Sequence, residues 1–288
     1  MKEKFDFHAH TAASDGSYSP HSLVKKAMDE GLEFIAITDH DTIAGVGEAF
    51  EAGKEFGVMV IGGVEISIDF EPGTMHLCGY FFDIENQQLN DALRYVQEAR
   101  FNRNPQIIEK LNEAGIDITM SEVEDAAGGK QIGRPHMAKV MLAKNYVKDI
   151  KEAFNKYLAK EARCYVDKKR LTLEKAVDII KNAGGVAVLA HPGEMPFETK
   201  EEYETLLSYI KERGVFGLES YSSHHNEEEN LMFKQLAERA GLFSTGGSDF
   251  HGETKPDIEL GVFAESCDIE INALIEKMKQ STKLKEKK

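Results

Sequence analysis

The alternation of strand-like and helical segments is the feature that most constrains the fold of this chain. A strand-like apolar run at Lys4–His8 is followed by a helical stretch that begins at Ser19-Pro20 and ends at Gly31, and then by the apolar run Phe34–Asp39. One helical pattern and two further β-rich runs come next: Ala44–Phe56, Val58–Ser67 and Met75–Phe82. Strand and helix repeats of about thirty residues are typical of βαβ units, which build a mostly parallel sheet.

The middle of the chain breaks this alternation. A long helical pattern covers Leu89–Ala114, and residues 101–167 show helical periodicity only, interrupted at Gly and Pro. Strands and helices then alternate again through Leu173–Asn182, Val186–Ala190, Lys200–Arg213, Val215–Tyr221, Glu227–Ala240 and Leu242–Thr245. We therefore predict an α/β barrel made of residues 1–100 and 168–288, with residues 101–167 as a helical insertion that caps the active site.

Composition and charge limit the classes of function. The formal net charge of −15 argues against a long basic track for duplex nucleic acid. No apolar run approaches the roughly 18 residues of a membrane span, and the first residues lack the features of a secretory signal, so we expect no membrane association and a cytoplasmic location. Cys78, Cys164 and Cys267 form no paired motif and are interpreted as packing residues.

Two histidines, His8 and His10, lie at the end of the first strand-like run. Residues i and i+2 of an extended segment point to the same face, so both imidazoles could bind one ion. Further potential ligands recur near strand ends: Asp15, His40, Glu65, His76, His191, Asp249 and His251. Because β/α barrels build their active sites at the carboxyl ends of their strands, this distribution predicts a multinuclear metallohydrolase.

The local sequence around three of these residues refines the interpretation. His40 lies between Asp39 and Asp41, which could orient its ring, although a turn or a helix cap is an equally good reading of the segment alone. Glu65 lies among β-branched residues, where an unpaired carboxylate is costly and a cation is needed. A histidine such as His76, taken alone, is more often a core residue than a metal ligand. The five histidines at other strand ends favour the role of metal ligand instead.

The motifs resemble those of the polymerase and histidinol phosphatase (PHP) family over essentially the whole chain. They are His-x-His, Thr-Asp-His-Asp, Gly-Val-Glu, Ala-His-Pro and Gly-Ser-Asp-x-His, which begin at His8, Thr38, Gly63, Ala190 and Gly247. The resemblance implies a distorted (β/α)7 TIM-like barrel that holds three divalent metal ions. Imidazole and carboxylate ligands without thiolate favour Mn²⁺, with Zn²⁺ or Fe²⁺ as alternatives.

The resemblance also distributes the ligands among the three ions. Those implied for the first ion are His8, His10, Glu65 and Asp249. Those implied for the second ion are Asp15, His40 and His251. The third ion would be held by His76 and His191, with Glu65 as a bridging carboxylate. Three divalent ions beside three carboxylates would leave a local charge of about +3, so an acidic protein could still bind an anionic substrate.

The helical insertion resembles one branch of the family, the phosphatases acting on nucleoside 3′,5′-bisphosphates, some of which also trim short RNA from the 5′ end. Two segments carry this resemblance, Gly133-Arg134-Pro135-His136 and the later Glu219-Ser220-Tyr221-Ser222-Ser223-His224-His225. The resemblance implies Arg134 and His136 as side chains that bind a phosphate, with a surface salt bridge as the alternative for Arg134.

Four further side chains are assigned by the same resemblance or by helix pattern. His225 is expected to contact the substrate and to donate a proton to the leaving group, whereas His224 is expected to be a bystander. Arg100 and Arg103 are expected on a solvated helix face, with a position facing the cleft as the alternative.

These roles predict a metal-dependent phosphoesterase that removes the 3′-phosphate of a nucleoside 3′,5′-bisphosphate, such as adenosine 3′,5′-bisphosphate, to give a 5′-nucleotide and phosphate. Alternatives are 5′-to-3′ trimming of short RNA, histidinol phosphate hydrolysis, carbon–nitrogen hydrolysis, and a non-catalytic metal-stabilised module. The expected partner is a small phosphorylated substrate or a short RNA 5′ end. The sequence gives no prediction of oligomeric state.

Overall fold

Seven strands form one sheet in chain order, with the bounds β1 Phe5–Ala9, β2 Phe34–Ile37, β3 Met59–Ile68, β4 Met75–Tyr80, β5 Val186–Leu189, β6 Gly217–Ser222 and β7 Phe243–Gly247. The structure is a computed structural model, and it describes residues 4–73, 75–127, 132–261 and 267–282. The fold is an α/β barrel that is nearly closed, as the sequence predicts.

The barrel is distorted because β4 runs against its neighbours. β1, β2 and β3 are parallel to one another, and so are β5, β6 and β7, whereas β4 is antiparallel to both β3 and β5. Only residues 69–74 separate β3 from β4, and a parallel connection would need a crossover of a dozen or more residues. The short connection therefore fixes the reversed direction of β4.

The seam between β1 and β7 is held by a few backbone hydrogen bonds. The amide of Asp249 donates to the carbonyl of His8 at 2.8 Å, and the amide of His10 donates to the carbonyl of Phe250 at 2.8 Å. Gly247 permits this approach, because a Cβ atom at that position would lie 2.2 Å from the Cβ of His8. The seam thus brings the first histidine motif against the last ligand motif of the chain.

The Asp6 side chain ties the same seam together from inside. Its Oδ1 accepts from the backbone amides of His8 and Ser248, both at 3.0 Å, and its Oδ2 accepts from the amide of Gly261 at 2.8 Å and from the Ser248 hydroxyl. Asp6 is fully buried, and this burial raises the pKa of its carboxyl to about 6 in spite of these donors. One carboxylate thus connects the first strand to two segments near the end of the chain.

Ten α-helices occur in the described part of the chain: α1 Pro20–Asp29, α2 Val46–Phe56, α3 Gln87–Glu113, α4 Met120–Ala127, α5 Arg134–Ala143, α6 Ile150–Ala153, α7 Leu173–Asn182, α8 Lys200–Glu212, α9 Glu227–Ala240 and α10 Ile271–Ser281. Two of them, α7 and α9, have the bounds that the sequence predicts. Their first turns are capped, since the side chains of Thr172 and Asn226 accept from the amides of Lys175 and Glu229. No helix among the described residues is both long and apolar enough to cross a membrane.

Helix α10 was absent from the sequence prediction. Its buried residues Ile271, Leu274, Ile275 and Met278 have the spacing of one helix face. They belong to one hydrophobic cluster with Phe5, Phe34 and Val186, which begin β1, β2 and β5. The helix therefore buries one apolar face in the same core as the first residues of these three strands.

The chain divides into two compact units. The barrel unit comprises Met1–Leu93 and Leu171–Lys288 and contains all seven strands, and the helical unit comprises Arg94–Arg170. The helical unit has its own hydrophobic core, which includes Ile107, Leu111 and Met141. The prediction that the insertion caps the active site stays a prediction.

Candidate metal centre

All nine predicted ligand residues lie at the carboxyl-terminal edge of the parallel strands. His8 is in β1, Glu65 is in β3, and the others follow strand ends or lie at the same edge. Parallel strands bring their carboxyl ends together, so residues far apart in sequence converge there. The ring of His10, for example, lies 4.0 Å from that of His251, centroid to centroid.

His76 reaches this edge because its strand is reversed. It lies near the beginning of β4, and in the antiparallel ladder it is paired with Ser67, close to the end of β3. A histidine at the start of an antiparallel strand therefore shares an edge with residues at the ends of parallel strands.

Glu65 is the residue on which the imidazoles converge. It is fully buried, and both of its oxygens face histidine nitrogens. Oε1 lies 2.9 Å from His76 Nδ1 and 2.9 Å from His191 Nε2. Oε2 lies 2.7 Å from His40 Nδ1, 3.3 Å from His10 Nε2 and 3.5 Å from His8 Nε2. One carboxylate with five imidazoles around it has the arrangement of a bridging ligand.

Asp15 gathers a second set of histidines. Its Oδ1 lies 3.4 Å from His251 Nε2 and 3.8 Å from His10 Nδ1, and its Oδ2 lies 3.9 Å from His40 Nε2. These separations exceed those of good hydrogen bonds and leave space for an ion between the side chains.

Four groups of side chains have potential ligand atoms within 4.8 Å of one another: His8, His10, Glu65 and Asp249; His10, Asp15, His40 and His251; His40, Glu65 and His76; and His8, Cys78 and Glu219. The first group has the membership expected for the first ion. The second adds His10 to the set expected for the second ion. In the third, His191 joins through Glu65 and through His76, whose Nδ1 lies 3.3 Å from His191 Nε2.

The donor atoms of His10 and Glu65 fit a divalent cation. Both ring nitrogens of His10 and the Oε2 of Glu65 are buried, and none makes a hydrogen bond of good geometry within the part of the chain that the structure describes. Buried polar atoms are normally satisfied, so such atoms converging on one place indicate a missing partner. Imidazole nitrogens and carboxylate oxygens are ligands that Mn²⁺, Zn²⁺ and Fe²⁺ accept.

Burial and close charges set the protonation of the site. Burial alone would raise the pKa of the Glu65 carboxyl, but the imidazoles of His40 and His76 outweigh it and hold that pKa well below its usual range. Burial opposes the charged form of His10 as well, yet the carboxylates of Asp249 and Glu65 raise its pKa to about 9. Burial and the charge of His10 lower the pKa of His251 to about 4. The carboxylate of Glu65 stays ionised, as a metal ligand requires.

The two aspartates beside His40 hold backbone segments. Asp39 accepts from the amide and hydroxyl of Thr11, at 2.8 and 2.7 Å, and from the hydroxyl of Ser14 at 2.6 Å. It therefore positions the loop that carries Asp15, and an orienting role toward the His40 ring stays a prediction. Asp41 accepts from the amide of Ser67 at 3.0 Å.

Glu219 lies in a segment that carries the resemblance but has no role in the sequence prediction, although it orients a predicted ligand. Its Oε2 lies 2.8 Å from His8 Nδ1, and both residues are buried. This contact directs His8 Nε2 toward Glu65 and Asp249. A carboxylate within a buried strand is the same signal that identified Glu65, and it could have identified Glu219.

Replacing Glu219 with glutamine is expected to weaken the binding of a divalent ion about 10- to 100-fold, because carboxylates that orient metal-bound histidines contribute this much to affinity. The measurement is competition between the protein and a chelator for Mn²⁺. Glu204→Gln is the matched control, since Glu204 pairs with Arg239 on the surface. Equal affinities of the two variants would contradict the role of Glu219.

The histidine doublet is arranged differently from the expectation. His224 Nε2 lies 2.8 Å from Asp249 Oδ2, so the predicted bystander contacts a predicted ligand. His225 is buried, its Nε2 accepts from the amide of Gly193 at 3.1 Å, and its ring packs on Phe233 at 4.6 Å. His225 thus supports the turn after β5, and its expected role as a proton donor and substrate ligand stays a prediction.

The phosphate-binding candidates of the helical unit form an arginine group around Arg134. Arg134 Nη1 donates to the carbonyl of Leu158 at 2.8 Å, and its guanidinium lies 5.5 Å from the centre of the Tyr165 ring. His136 Nδ1 accepts from the amide of Gly133 at 3.1 Å, which leaves Nε2 as the nitrogen that carries hydrogen in the neutral ring.

Arg103 belongs to the same group, and its expected place on a solvated helix face is wrong. It is only 4% exposed, and its Nε lacks a hydrogen-bond partner among the described residues. Burial, together with the charges of Arg134 and Arg100, lowers the pKa of Arg103 to about 9. A buried guanidinium group beside other cationic groups would be stabilised by an anion.

Both the sequence and the fold of this chain are similar to those of known proteins. The PHP domain family model matches residues 6–235. The 3′,5′-nucleoside bisphosphate phosphatase of Chromobacterium violaceum is 33% identical over 88% of this chain and 90% of its own length. The 5′-3′ exoribonuclease Rnm of Escherichia coli is 34% identical over 89% of this chain and 88% of its own length. A structure from Bifidobacterium adolescentis, assigned as a metal-dependent phosphoesterase, superposes with a TM-score of 0.85 at 28% identity, covering 97% of this chain and 96% of that one.

Proposed function

The chain belongs to the PHP domain family and is a metal-dependent phosphoesterase, and we propose from this premise that it removes the 3′-phosphate of nucleoside 3′,5′-bisphosphates. The observation that carries the proposal is the joint occurrence of the Glu65-centred histidine cluster and the arginine group, of which Arg103 is buried. The histidine cluster suits the phosphate that is hydrolysed. The arginine group suits the other phosphate of the substrate, which is bound and not hydrolysed. A relative of similar length with this activity supports the choice of substrate.

The residues of the centre would hold three divalent ions, with Mn²⁺ favoured. Bound there, such ions would activate a water molecule at neutral pH and would neutralise charge on the phosphoryl oxygens. The chain contributes the geometry: Glu65 faces the surrounding imidazoles, Asp39 holds the loop that carries Asp15, and Glu219 fixes the ring of His8. These groups are buried and held by hydrogen bonds, so little reorganisation is needed during the reaction.

The arginine group would bind the second phosphate. Arg134 and Arg103 offer guanidinium groups suited to bidentate contact with phosphate oxygens, and His136 offers its Nε2 hydrogen. An anion there would also relieve the repulsion that lowers the pKa of Arg103. The expectation that the helical insertion caps the active site stays a prediction.

The experiment that tests the function is phosphate release by the Mn²⁺-loaded protein. Adenosine 3′,5′-bisphosphate, AMP, histidinol phosphate and a short 5′-phosphorylated RNA are compared, with His191→Ala and a chelator as controls. Preferential release of the 3′-phosphate, lost in both controls, would support the proposal. Preferential cleavage of histidinol phosphate would contradict the substrate.

Trimming of short RNA is the second candidate function. The observation that favours it is the similarity to exoribonucleases at 33–34% identity. Mononucleotide products from the 5′-phosphorylated RNA, released faster than phosphate from the bisphosphate, would establish this alternative.

Replacing Arg134 with methionine is expected to lower kcat/KM for adenosine 3′,5′-bisphosphate about 10- to 100-fold, since a hydrogen bond to a charged group contributes about 1.5–3 kcal/mol. Hydrolysis of adenosine 3′-monophosphate, which lacks the second phosphate, should change little. Arg163→Met is the matched control, because Arg163 is exposed in the same unit. Equal losses on both substrates would indicate a structural effect through the bond to Leu158.

A further inference from the structure

Asp249 has partners on both of its carboxylate oxygens. Oδ1 lies 3.1 Å from His10 Nε2 and 3.5 Å from His8 Nε2, among the candidate ligands. Oδ2 lies 2.8 Å from His224 Nε2 and also contacts the ammonium of Lys255. The two donors on Oδ2 leave Oδ1 as the oxygen that faces the histidines of the centre.

The backbone conformation of Asp249 makes such supporting contacts necessary. Asp249 has a φ of 58°, in the left-handed region that residues other than glycine rarely occupy. Residues held in this region persist only where surrounding contacts determine them. The bonds to His224 and Lys255 are side-chain contacts of this kind.

His224 is connected to a second candidate ligand through Glu194. Its Nδ1 lies 3.4 Å from Glu194 Oε1, while Glu194 Oε2 lies 3.1 Å from His191 Nδ1. His191 in turn directs Nε2 to Glu65 at 2.9 Å. The contact of Glu194 with His191 is of the same kind as that of Glu219 with His8. In both pairs, the carboxylate contacts the ring nitrogen that faces away from the candidate metal centre.

We propose that Lys255, His224 and Glu194 form a positioning group, which fixes the orientation of Asp249 and His191 and thereby sets the affinity of the centre for divalent ions. None of the three belongs to the four groups of potential ligands. Carboxylates that hold metal-bound histidines, and donors that hold metal-bound carboxylates, tune affinity without touching the ion. The inference rests on the metal centre of the proposed function.

The test uses the full chain and Mn²⁺ as the probe. Lys255→Met keeps the length and apolar stem of the side chain and removes its charge. Lys234→Met is the matched control, because Lys234 also pairs with an aspartate, Asp268, at 2.6 Å and is similarly exposed at 28% against 37% for Lys255. Competition with a chelator should give a dissociation constant about 10- to 100-fold higher for Lys255→Met. Lys234→Met should bind Mn²⁺ as the unmodified chain does.

A second pair of variants separates positioning from folding. His224→Gln keeps an amide that can donate to Asp249, whereas His224→Leu removes the donor at comparable volume. Partial retention of Mn²⁺ affinity in His224→Gln and its loss in His224→Leu, with unchanged circular dichroism, would support the proposal. Mn²⁺ affinities that match the unmodified chain in both Lys255→Met and His224→Leu would overturn it.

Binding of inorganic phosphate to the Mn²⁺-loaded variants supplies a further readout. If Lys255→Met loses phosphate affinity while keeping Mn²⁺ affinity, Lys255 contacts substrate and the positioning role is overturned. Absence of Mn²⁺ binding in the unmodified chain would instead contradict the metal centre, and with it the proposed function. The two failures are therefore distinguishable.

Discussion

Replacing Glu65 with glutamine is expected to reduce phosphate release by about 10³-fold or more, because a bound ion contributes several kcal/mol to the stabilisation of the transition state. Glutamine has the size of glutamate, but it carries no charge and presents an NH2 group to part of the ring of five imidazoles. The carboxylate bridge should therefore be lost, and bound metal with it. The measurements are phosphate release from adenosine 3′,5′-bisphosphate and metal content after dialysis.

Glu55→Gln is the control for this variant. Glu55 also pairs with an imidazole, that of His21 at 3.1 Å, but both side chains are about half exposed. It should keep full activity and full metal content. A Glu65→Gln protein that retained both would show that the carboxylate does not bridge ions.

Replacing Asp6 with alanine is expected to lower the free energy of unfolding by about 3 kcal/mol or more, because several buried donors lose their acceptor together. Those donors come from His8, Ser248 and Gly261, on both sides of the β1–β7 seam. Asp6→Asn should cost less, since its one carbonyl oxygen can still accept some of these bonds. Urea unfolding followed by circular dichroism measures both losses.

An exposed aspartate provides the control for the Asp6→Ala variant. Asp178 lies on the solvent side of α7, and Asp178→Ala should change stability by no more than about 0.5 kcal/mol. If Asp6→Ala matched Asp178→Ala, the carboxylate would contribute nothing to closing the barrel.

Much of the fold followed from local sequence. Helices α7 and α9 were predicted with their bounds because cap residues and glycines mark their ends. The candidate ligands could be selected from the sequence because histidines and carboxylates at strand ends are unusual, and the barrel brings strand ends together. Helix α10 was missed, although Ile271, Leu274, Ile275 and Met278 carry the pattern of a buried face.

The remaining parts depend on contacts that no local pattern records. Glu219 reaches His8 across 211 residues, and His224 reaches Asp249 across 25. His224 and His225 are adjacent and have the same local sequence. The sequence therefore does not show which of the two rings points toward the candidate metal centre. Arg103 is buried by the packing of the helical unit, whereas its sequence position suggests an exposed face.

The seam described above has a consequence for the order of folding. Asp6 and Ser248 are 242 residues apart, so β1 can pair with β7 only after all the residues between them have been synthesised. Closing so long a loop costs entropy before any contact repays it, and pairing of this kind is slow. Four of the metal-binding candidates, His8, His10, His40 and Glu65, leave the ribosome long before Asp249 and His251. An ion bound at that stage would meet an incomplete set of ligands, so barrel closure and metal uptake are expected to be completed together.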